Sequence, residues 1–370
     1  MKSIVLLIGE ELRLNRNFLD YIFRQLKNAN LDFNEIKFIN KIDKNLPNFI
    51  ENLANECEFI TIFTSNENYA IVGKILSTLT GDLLELRDET LAPSFAQKVV
   101  KNGFLLSVKN CQINVLKASL NEKLPQILTP NLKNERFFYI FDYGLNFVKE
   151  RIEPLLKTYN VSANLSQFNN FLVAVQVREN EFSQIQDFMQ SVRKIFANFI
   201  IENENFIEFI ARKLIQNNLK ITFAESCTAG LIAAKFGEIS GVSEIFEGSL
   251  ITYSQNAKNA WLGVSDDTLA NFGVYSKECV SEMIDGILKL SKADFAIAVS
   301  GVAGPFDDGE IPAGTVFVGV GEKNGEKIVE KFQIHGDRNF VRNECVNIAF
   351  CLLLRLKTEL FFKFERISDE

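Results

Sequence analysis

Short apolar runs alternate with amphipathic segments along the first 130 residues. The runs Ile4–Ile8 and Phe59–Phe63 have the length and continuity of strands that are buried on both faces. The segments Asn17–Lys27 and Ala70–Leu79 carry apolar residues at helical spacing. Strands that alternate with helices predict an α/β domain with a largely parallel sheet over residues 1–130.

A boundary and a smaller module are predicted next. Pro125, Pro130 and the polar stretch Asn131–Glu135 indicate the boundary. The elements predicted after it are strands over Phe137–Phe141 and Phe171–Val177 and helices over Val148–Thr158 and Ile185–Ile195. We expect them to form a small two-layer α+β module over residues 135–201.

The remaining residues, 203–366, predict a third domain of the α/β class. The polar stretch Glu202–Glu204 precedes it, and the helix Phe206–Gln216 leads into it. Its further predicted elements are strands over Ile221–Ala224, Leu250–Tyr253, Phe295–Ser300, Thr315–Val320 and Ile328–Ile334, and helices over Ala229–Phe236, Ala257–Leu262, Cys279–Leu290 and Asn339–Leu360.

Charge and composition exclude several classes of protein. The formal net charge of -7 provides no basic surface field for nucleic acid or an anionic membrane. The six cysteines form no CxxC pair, which argues against a metal site and favours free thiols in a reducing cytoplasm. The run Ile4–Ile8 is too short for a signal peptide, and Ile348–Leu354 is far below the roughly 20 residues of a membrane span. We therefore expect a soluble cytoplasmic protein.

The segment Ala224–Gly230 (AESCTAG) lies where a predicted strand passes into a helix. Small residues at such a turn let backbone N–H groups approach a ligand, and a helix N-terminus stabilises negative charge. Ser226 is therefore a candidate nucleophile, with neighbouring N–H groups as an oxyanion hole. The alternative is that Ser226 is only the N-cap of the helix.

A serine nucleophile needs a base, and the local pattern favours Lys258 over the single histidine, His335. With Ser254 as the N-cap of a short helix that ends at Gly263, Tyr253 takes position N′ and Lys258 position N4. Residues at these two positions commonly touch each other. A buried lysine loses basicity and can accept a proton. The alternative is an exposed lysine lying over an aromatic ring.

Two further segments could contact a substrate. Ser300–Pro305 (SGVAGP) ends a predicted strand, and its glycines either admit a ligand or simply permit tight turns. The acids that follow (Asp307, Asp308 and Glu310) are expected to be solvated loop residues rather than metal ligands.

Arg338 and Arg342 lie one turn apart at the start of the last helix. Two guanidinium groups on one face can grip a phosphate, although a solvated helix face is the alternative.

The heptad Ala224–Gly230 resembles the CinA family, whose C-terminal domain is a nicotinamide mononucleotide deamidase, and the resemblance extends to further segments. These segments follow the order and spacing of the family: Gly248–Lys258 (GSLITYSQNAK), Leu262–Ser265 (LGVS), Gly273–Ser276 (GVYS), Ala298–Pro305 (AVSGVAGP) and Gly314–Val316 (GTV). The resemblance implies a C-terminal amidohydrolase domain over residues 203–366. It departs from the family pattern at Ala229, where glycine is usual, and in the short loop Phe306–Ile311.

The same resemblance implies site residues and a substrate. Ser226 looks like the nucleophile, Lys258 like its base, and Tyr253 like a partner that orients or relays the proton. The substrate is expected to be a pyridine nucleotide, with no metal and no organic cofactor. The candidate substrate-binding residues are Cys227, Thr228, Gly230, Ser300, Gly301, Gly304, Arg338 and Arg342.

The first domain resembles the family's molybdopterin-binding-like domain, from the opening segment Ile8–Leu12 (IGEEL). That fold is linked in some relatives to ADP-ribose pyrophosphatase activity. Here Thr64–Tyr69 (TSNENY) stands where a glycine-rich phosphate loop with paired acids is expected, and Ala118–Leu120 stands in place of a Pro-Gly-Val-Pro-like turn. We predict that this domain has lost catalysis and serves structure or assembly.

Two other functions compete with the amidase interpretation. One is a non-enzymatic interaction module in DNA uptake or repair, which would not need Ser226, Tyr253 and Lys258 together. The other is an oxidoreductase with a Tyr–Lys pair, but no GxGxxG motif follows a strand. The Phe-rich first domain makes us expect a homodimer.

Overall fold

The computed structural model describes residues 2–29, 31, 33–120, 122–129, 135–180, 182–197, 199–202 and 204–362. The chain divides into two compact units, Met1–Leu132 and Lys133–Glu370. Pro130 and residues 131–134 of the predicted boundary lie outside the described residues, as do residues 203 and 363–366 of the predicted third domain. The division into three domains therefore stays a prediction.

The first unit contains one six-stranded sheet with helices. Its strands are β1 (Ser3–Ile8), β2 (Glu35–Ile39), β3 (Phe59–Thr64), β4 (Leu84–Arg87), β5 (Thr90–Pro93), β6 (Lys98–Val100), β7 (Gly103–Val108) and β8 (Cys111–Lys117), and its helices are α1 (Glu10–Leu14), α2 (Arg16–Asn28), α3 (Leu46–Glu56) and α4 (Asn66–Thr80). The sheet order is β2-β1-β3-β8-β7-β6, and β4 and β5 form a separate hairpin.

The three pairings around β1, β3 and β8 are parallel, whereas β7 pairs antiparallel with both β8 and β6. Apart from Ser3, strand β1 is apolar, because both of its faces are buried. Ile4 and Leu6 enter the core that contains α3 and α4, and Val5 and Leu7 enter the core that contains α2. The α/β class of this unit is confirmed.

The second unit begins with a four-stranded antiparallel sheet. Its elements are β9 (Glu135–Phe141), α5 (Leu145–Thr158), β10 (Val161–Gln167), β11 (Leu172–Glu179), α6 (Ile185–Ile195) and β12 (Ile200–Glu202), and the strand order is β10-β11-β9-β12. Helices α5 and α6 cover one face. The opposite face, including Phe141 and Leu172, shares a core with the residues that follow. Glu202, expected in a polar stretch, is part of β12 and binds Arg193 through two hydrogen bonds.

The second unit continues with a five-stranded mixed sheet in the order β14-β13-β15-β16-β17. Its elements are α7 (Phe206–Gln216), β13 (Ile221–Glu225), α8 (Leu231–Gly237), a 3-10 helix (Val242–Glu244), β14 (Phe246–Ile251), α9 (Gln255–Leu262), α10 (Asp266–Asn271), α11 (Lys277–Leu290), β15 (Phe295–Gly301), β16 (Thr315–Glu322), β17 (Lys327–Gln333), α12 (Arg338–Leu356) and α13 (Thr358–Phe361).

Helices cover both faces of this sheet. Ile297 and Val299 of β15 share a core with α8 and α12, while Ala296 and Ala298 share a core with α9 and α11. Strand β13 is parallel to both of its neighbours, so its carboxyl end points to the same edge as the ends of β14 and β15. A ligand site in an open α/β sheet is expected at that edge.

The observed ends of most elements differ by a few residues from those predicted, as two cases show. Strand β14 ends at Ile251, so Tyr253 lies beyond its strand rather than at its end. The helix predicted over Asn339–Leu360 ends at Leu356 and is followed by the separate helix α13. Within the described ranges, no helix combines the length and the apolar composition needed to cross a membrane.

A glycine in α11 sets the distance between α9 and α11. A Cβ atom on Gly286 would lie 1.9 Å from the carbonyl oxygen of Leu262, the last residue of α9. We expect Gly286→Ala to lower the free energy of unfolding by about 1–3 kcal/mol or more, because two backbones must separate. Chemical denaturation followed by circular dichroism measures this change.

Gly237→Ala is the matched control, since Gly237 ends helix α8 and has open space where a Cβ would be placed. This substitution should leave the protein equally stable or more stable, by up to about 1 kcal/mol. If both variants unfolded at the same denaturant concentration as the wild type, the close contact between α9 and α11 would be refuted.

Candidate active site

Ser226 begins a tight turn between β13 and α8. Its N–H donates to the carbonyl of Val299 in β15, at 3.0 Å, which fixes the start of the turn to the sheet. Ala229 and Gly230 then adopt φ angles of 50° and 89°, so two successive left-handed residues reverse the chain. The helix begins after Gly230, which is its N-cap. The alternative that Ser226 is the N-cap is therefore wrong.

The N-terminus of α8 is occupied by a side chain of the protein itself. The carboxylate of Glu225 accepts hydrogen bonds from the N–H groups of Ile232 and Ala233, both at 3.0 Å, and Glu225 is fully buried. These amides are the second and third of the helix, where an anion would bind. The expectation that this helix end stabilises a negative charge of the substrate is therefore wrong. Among the described residues, the N–H groups of Thr228 and Gly230 have no acceptor.

Lys258 occupies the helix position that the sequence predicts. Ser254 is the N-cap of α9 and accepts from the N–H of Ala257 at 3.1 Å, and Gly263 ends the helix with a φ of 69°. Lys258 is consequently at N4. The lysine is 1% exposed, so the alternative of an exposed lysine over an aromatic ring is wrong.

The amine of Lys258 has three oxygen neighbours. Nζ lies 2.9 Å from Oγ of Ser226, 2.9 Å from the carbonyl oxygen of Thr252 and 3.2 Å from that of Tyr253. Ser226 itself is only 4% exposed. A buried serine and a buried lysine are therefore in direct contact, and two backbone carbonyls hold the lysine.

This set of neighbours suits an uncharged amine. A neutral amine has two N–H groups, which can donate to the two carbonyls, and one lone pair, which can accept the hydroxyl proton of Ser226. In the described part of the chain, no carboxylate pairs with Lys258. Burial lowers the pKa of Lys258 below its ordinary value, because the charged form loses its hydration.

Tyr253 contacts Lys258 through its backbone rather than its ring. Its side chain is 55% exposed, and its hydroxyl accepts a hydrogen bond from Arg338 at 2.9 Å. The predicted contact between the phenol and the ammonium group is not formed. The phenol therefore lies beside a guanidinium group on the open side of the site.

Arg338 and Arg342 both reach from α12 to the loops of the site. Arg338 donates to the carbonyl of Gly304 at 2.7 Å as well as to Tyr253. Arg342 donates to the carbonyl of Thr228 at 2.6 Å, and its Nε is buried without a hydrogen-bond partner in the described residues. Arg342 is half-buried, so the alternative of a solvated helix face is wrong for it, whereas Arg338 is exposed.

Three of the predicted substrate-binding residues make close contacts within the protein. Ser300 is fully buried and donates its hydroxyl to the carbonyl of Val274 at 2.7 Å. A Cβ on Gly301 would lie 2.5 Å from the carbonyl oxygen of Thr315, so glycine is required there by the close approach of two strands. Cys227 is buried, and a hydrogen bond from the thiol of Cys345 lowers the pKa of the Cys227 thiol. A role of these three residues in substrate binding stays a prediction.

The loop Phe306–Ile311 is held to the domain by a tyrosine. The hydroxyl of Tyr275 donates to Asp308 at 2.7 Å, and burial together with this carboxylate raises the pKa of Tyr275. Asp307 accepts from the N–H of Ala313, which closes the loop. Within the described ranges, no group of three metal-binding side chains is found.

Three residues of the site were not identified from the sequence. Glu225 and the carbonyl of Thr252 act across turns whose course only the folded chain reveals. Tyr275 lies within the segment Gly273–Ser276, but its partner Asp308 is 33 residues further along the chain. A buried acid directly before a candidate nucleophile is the one signal that could have been noticed.

Comparisons with known proteins point to one family. The description "CinA C-terminal domain" applies to the family whose profile matches residues 203–357. A "CinA-like protein" of Endomicrobium trichonymphae is 35% identical over 240 residues, which are 60% of this chain and 55% of that protein. A "CinA-like protein" of Thermosipho melanesiensis is 32% identical and matches 69% of this chain and 66% of its own length. This chain thus spans only part of these relatives.

A solved structure is also similar to part of the chain. The crystal structure of "competence/damage inducible protein CihA" from Agrobacterium tumefaciens is 35% identical. The match covers 42% of this chain and 97% of that one, with a TM-score of 0.39.

Proposed function

We propose, from the premise that this chain belongs to the CinA family, that it hydrolyses the carboxamide of nicotinamide mononucleotide to nicotinate mononucleotide and ammonia. Ser226 is the nucleophile of this reaction and Lys258 its base. One observation carries the proposal: the buried Nζ of Lys258 lies 2.9 Å from Oγ of Ser226, and no carboxylate among the described residues neutralises it. A buried lysine with a lowered pKa beside a hydroxyl group can accept its proton and return it.

The reaction then proceeds in two halves. Oγ of Ser226 forms a bond to the amide carbon while its proton passes to Nζ of Lys258, and the carbonyl oxygen becomes an oxyanion. Lys258 returns this proton to the amide nitrogen as the C–N bond breaks, so that ammonia leaves and an ester to Ser226 remains. Water attacks the ester, Lys258 takes a proton from the water, and Ser226 recovers it as the product acid departs.

The turn after Ser226 supplies candidates for the oxyanion hole. The N–H groups of Thr228 and Gly230 are without acceptors among the described residues, whereas the N–H of Ser226 is already bound to Val299. Donors that are fixed by a tight turn need no reorganisation when charge develops on the substrate. We therefore assign this role to these amides of the turn and not to the N–H groups of Ile232 and Ala233, which Glu225 already binds.

Arg338 and Arg342 are the candidates for binding the phosphate of the nucleotide. In the described structure their hydrogen bonds go to neutral acceptors, the carbonyls of Gly304 and Thr228 and the hydroxyl of Tyr253. A phosphate is a stronger acceptor for a guanidinium group than any of these. We expect a bound nucleotide to replace part of these contacts, which also frees Tyr253 to orient the substrate.

For the first unit we propose a structural or assembly role, supported by the sequence Thr64–Tyr69 at the end of β3. A cytoplasmic location, pyridine nucleotide salvage and a homodimer belong to the same proposal.

The proposed function is tested by ammonia release. We expect the purified full chain to release ammonia from nicotinamide mononucleotide, and chromatography should detect nicotinate mononucleotide in equal amount. Nicotinamide riboside, which lacks the phosphate, should react with a KM at least about 10-fold higher, since it cannot engage Arg338 and Arg342. Glutamine and free nicotinamide serve as control amides. No ammonia from the mononucleotide, or equal rates with all four amides, would refute the proposal.

A further inference from the structure

The geometry points to Glu225 as a positioning residue that sets the nucleophile and the base of this site against each other, an inference that rests on the proposed roles of Ser226 and Lys258. Glu225 is the last residue of β13 and directly precedes Ser226. Its carboxylate is fully buried and has no basic side chain as partner among the described residues. Three hydrogen bonds hold the carboxylate instead, and they connect three different segments of the site.

The first two hydrogen bonds close the turn that carries Ser226. Glu225 stands before the turn, and the N–H groups of Ile232 and Ala233, which it binds at 3.0 Å, stand after it. Between these points lie Ala229 and Gly230 with left-handed φ angles. Ala229 is a residue for which this conformation is unfavourable, so the turn needs an external restraint. The carboxylate provides it by joining both ends of the turn.

The third hydrogen bond extends the same restraint to the base. The hydroxyl of Ser249 in β14 donates to Oε1 of Glu225 at 3.0 Å. The backbone carbonyl of Glu225 also accepts from the N–H of Thr252 at 2.8 Å. Thr252 follows directly after β14, and its carbonyl is one of the two that hold Nζ of Lys258. Glu225 therefore connects the segment of the nucleophile to the segment that orients the lysine.

This arrangement also determines which charges remain available to a substrate. A buried carboxylate at the N-terminus of α8 compensates the partial positive charge of that helix end. The helix end therefore contributes little to binding the phosphate or the oxyanion, which leaves that work to the arginines of α12 and the free amides of the turn. Glu225 acts on the reaction only through the placement of other groups.

Glu225→Gln tests the inference, because the amide keeps the shape but replaces one acceptor oxygen with a donor. We expect kcat for ammonia release to fall by about 10²-fold, the cost of a displacement near 1 Å at the reacting atoms. The KM should change by less than about 3-fold, since neither arginine is touched. Glu225→Asp, which keeps the charge but shortens the side chain, should show an intermediate kcat. Equal kcat in all three proteins would overturn the inference.

Thr222→Val is the matched control, because it should lower the stability of the protein without displacing Ser226 or Lys258. Thr222 is buried in the same strand, and its hydroxyl donates to the carbonyl of Gly248 in β14 at 2.9 Å, away from the turn. We expect this variant to unfold at a lower temperature but to keep its kcat. If the loss of kcat in Thr222→Val and in Glu225→Gln simply followed the fall in the melting temperature of each variant, Glu225 would be a structural residue only.

A second measurement separates this inference from the proposed substrate. Phenylmethylsulfonyl fluoride labels an activated serine whatever its natural substrate is, and mass spectrometry of the peptide containing Ser226 measures the rate. We expect labelling to slow by at least about 10-fold in Glu225→Gln and in Ser249→Ala to a smaller extent, as the serine moves away from its base. Retention of this pattern in a protein inactive on the mononucleotide would refute only the substrate. Equal labelling in every variant, or none in the wild type, would overturn the role of Glu225.

Discussion

We expect alanine in place of Ser226 to lower the rate of ammonia release from nicotinamide mononucleotide by at least about 10⁴-fold, the scale of loss seen when a nucleophile is removed from a working set. The reason is that no covalent ester can form, and water must attack a ground-state amide directly. The fold should persist, because Ser226 is anchored by its backbone N–H to Val299 and its hydroxyl bonds to Lys258 alone among the described residues. Single-turnover measurements of ammonia and product determine the loss.

The control for this substitution is Ser281→Ala. Ser281 lies on α11 and contacts Lys327, outside the site, so its removal should change the rate by less than about 2-fold. Binding of the mononucleotide to Ser226→Ala, measured by calorimetry, should remain within about 3-fold of the wild type, because Arg338 and Arg342 are intact. A Ser226→Ala protein that kept a tenth of the wild-type rate would eliminate Ser226 as the nucleophile.

The helices of the second unit show what a sequence pattern can establish. The predicted helices Ile185–Ile195 and Phe206–Gln216 have the bounds of α6 and α7, since their apolar residues form one continuous buried face. Strand β14 was predicted over Leu250–Tyr253 but runs over Phe246–Ile251. It is an edge strand with Gly248 in its interior, so its residues are only half-buried and carry no clear alternation.

The site shows a similar division between local and long-range information. The register of α9, from the cap Ser254 to Lys258, is local and could be predicted. The contact between Lys258 and Ser226 spans 32 residues and depends on β13 and β14 being parallel neighbours, which no short pattern encodes. The carbonyls that hold the lysine belong to the backbone and leave no trace in residue identity.

Methionine in place of Lys258 is expected to lower kcat by at least about 10³-fold, because both the activation of Ser226 and the protonation of the departing amide nitrogen are lost. Methionine is close to lysine in shape, so the buried site stays filled. Two effects on stability oppose each other: the cost of burying a polar amine disappears, while the carbonyls of Thr252 and Tyr253 lose a donor. The melting temperature should therefore change by only a few degrees, which differential scanning calorimetry measures.

Lys235→Met controls for the removal of a lysine as such. Lys235 is half-buried on α8 and, among the described residues, pairs with Glu238 alone, so this variant should retain the wild-type kcat. If Lys258→Met and Lys235→Met were equally active, the base would have to be sought elsewhere in the molecule.

The pH profile links the loss in Lys258→Met to proton transfer. Only the neutral amine can accept the proton of Ser226, so kcat/KM of the wild type must fall as the pH falls through the pKa of Lys258. Burial lowers this pKa, which moves the falling limb below the pH at which an ordinary lysine would titrate. In Lys258→Met this limb should be absent from the residual activity. A wild-type profile with no falling limb at any pH at which the protein stays folded, or a limb that survives in Lys258→Met, would show that another group takes the proton.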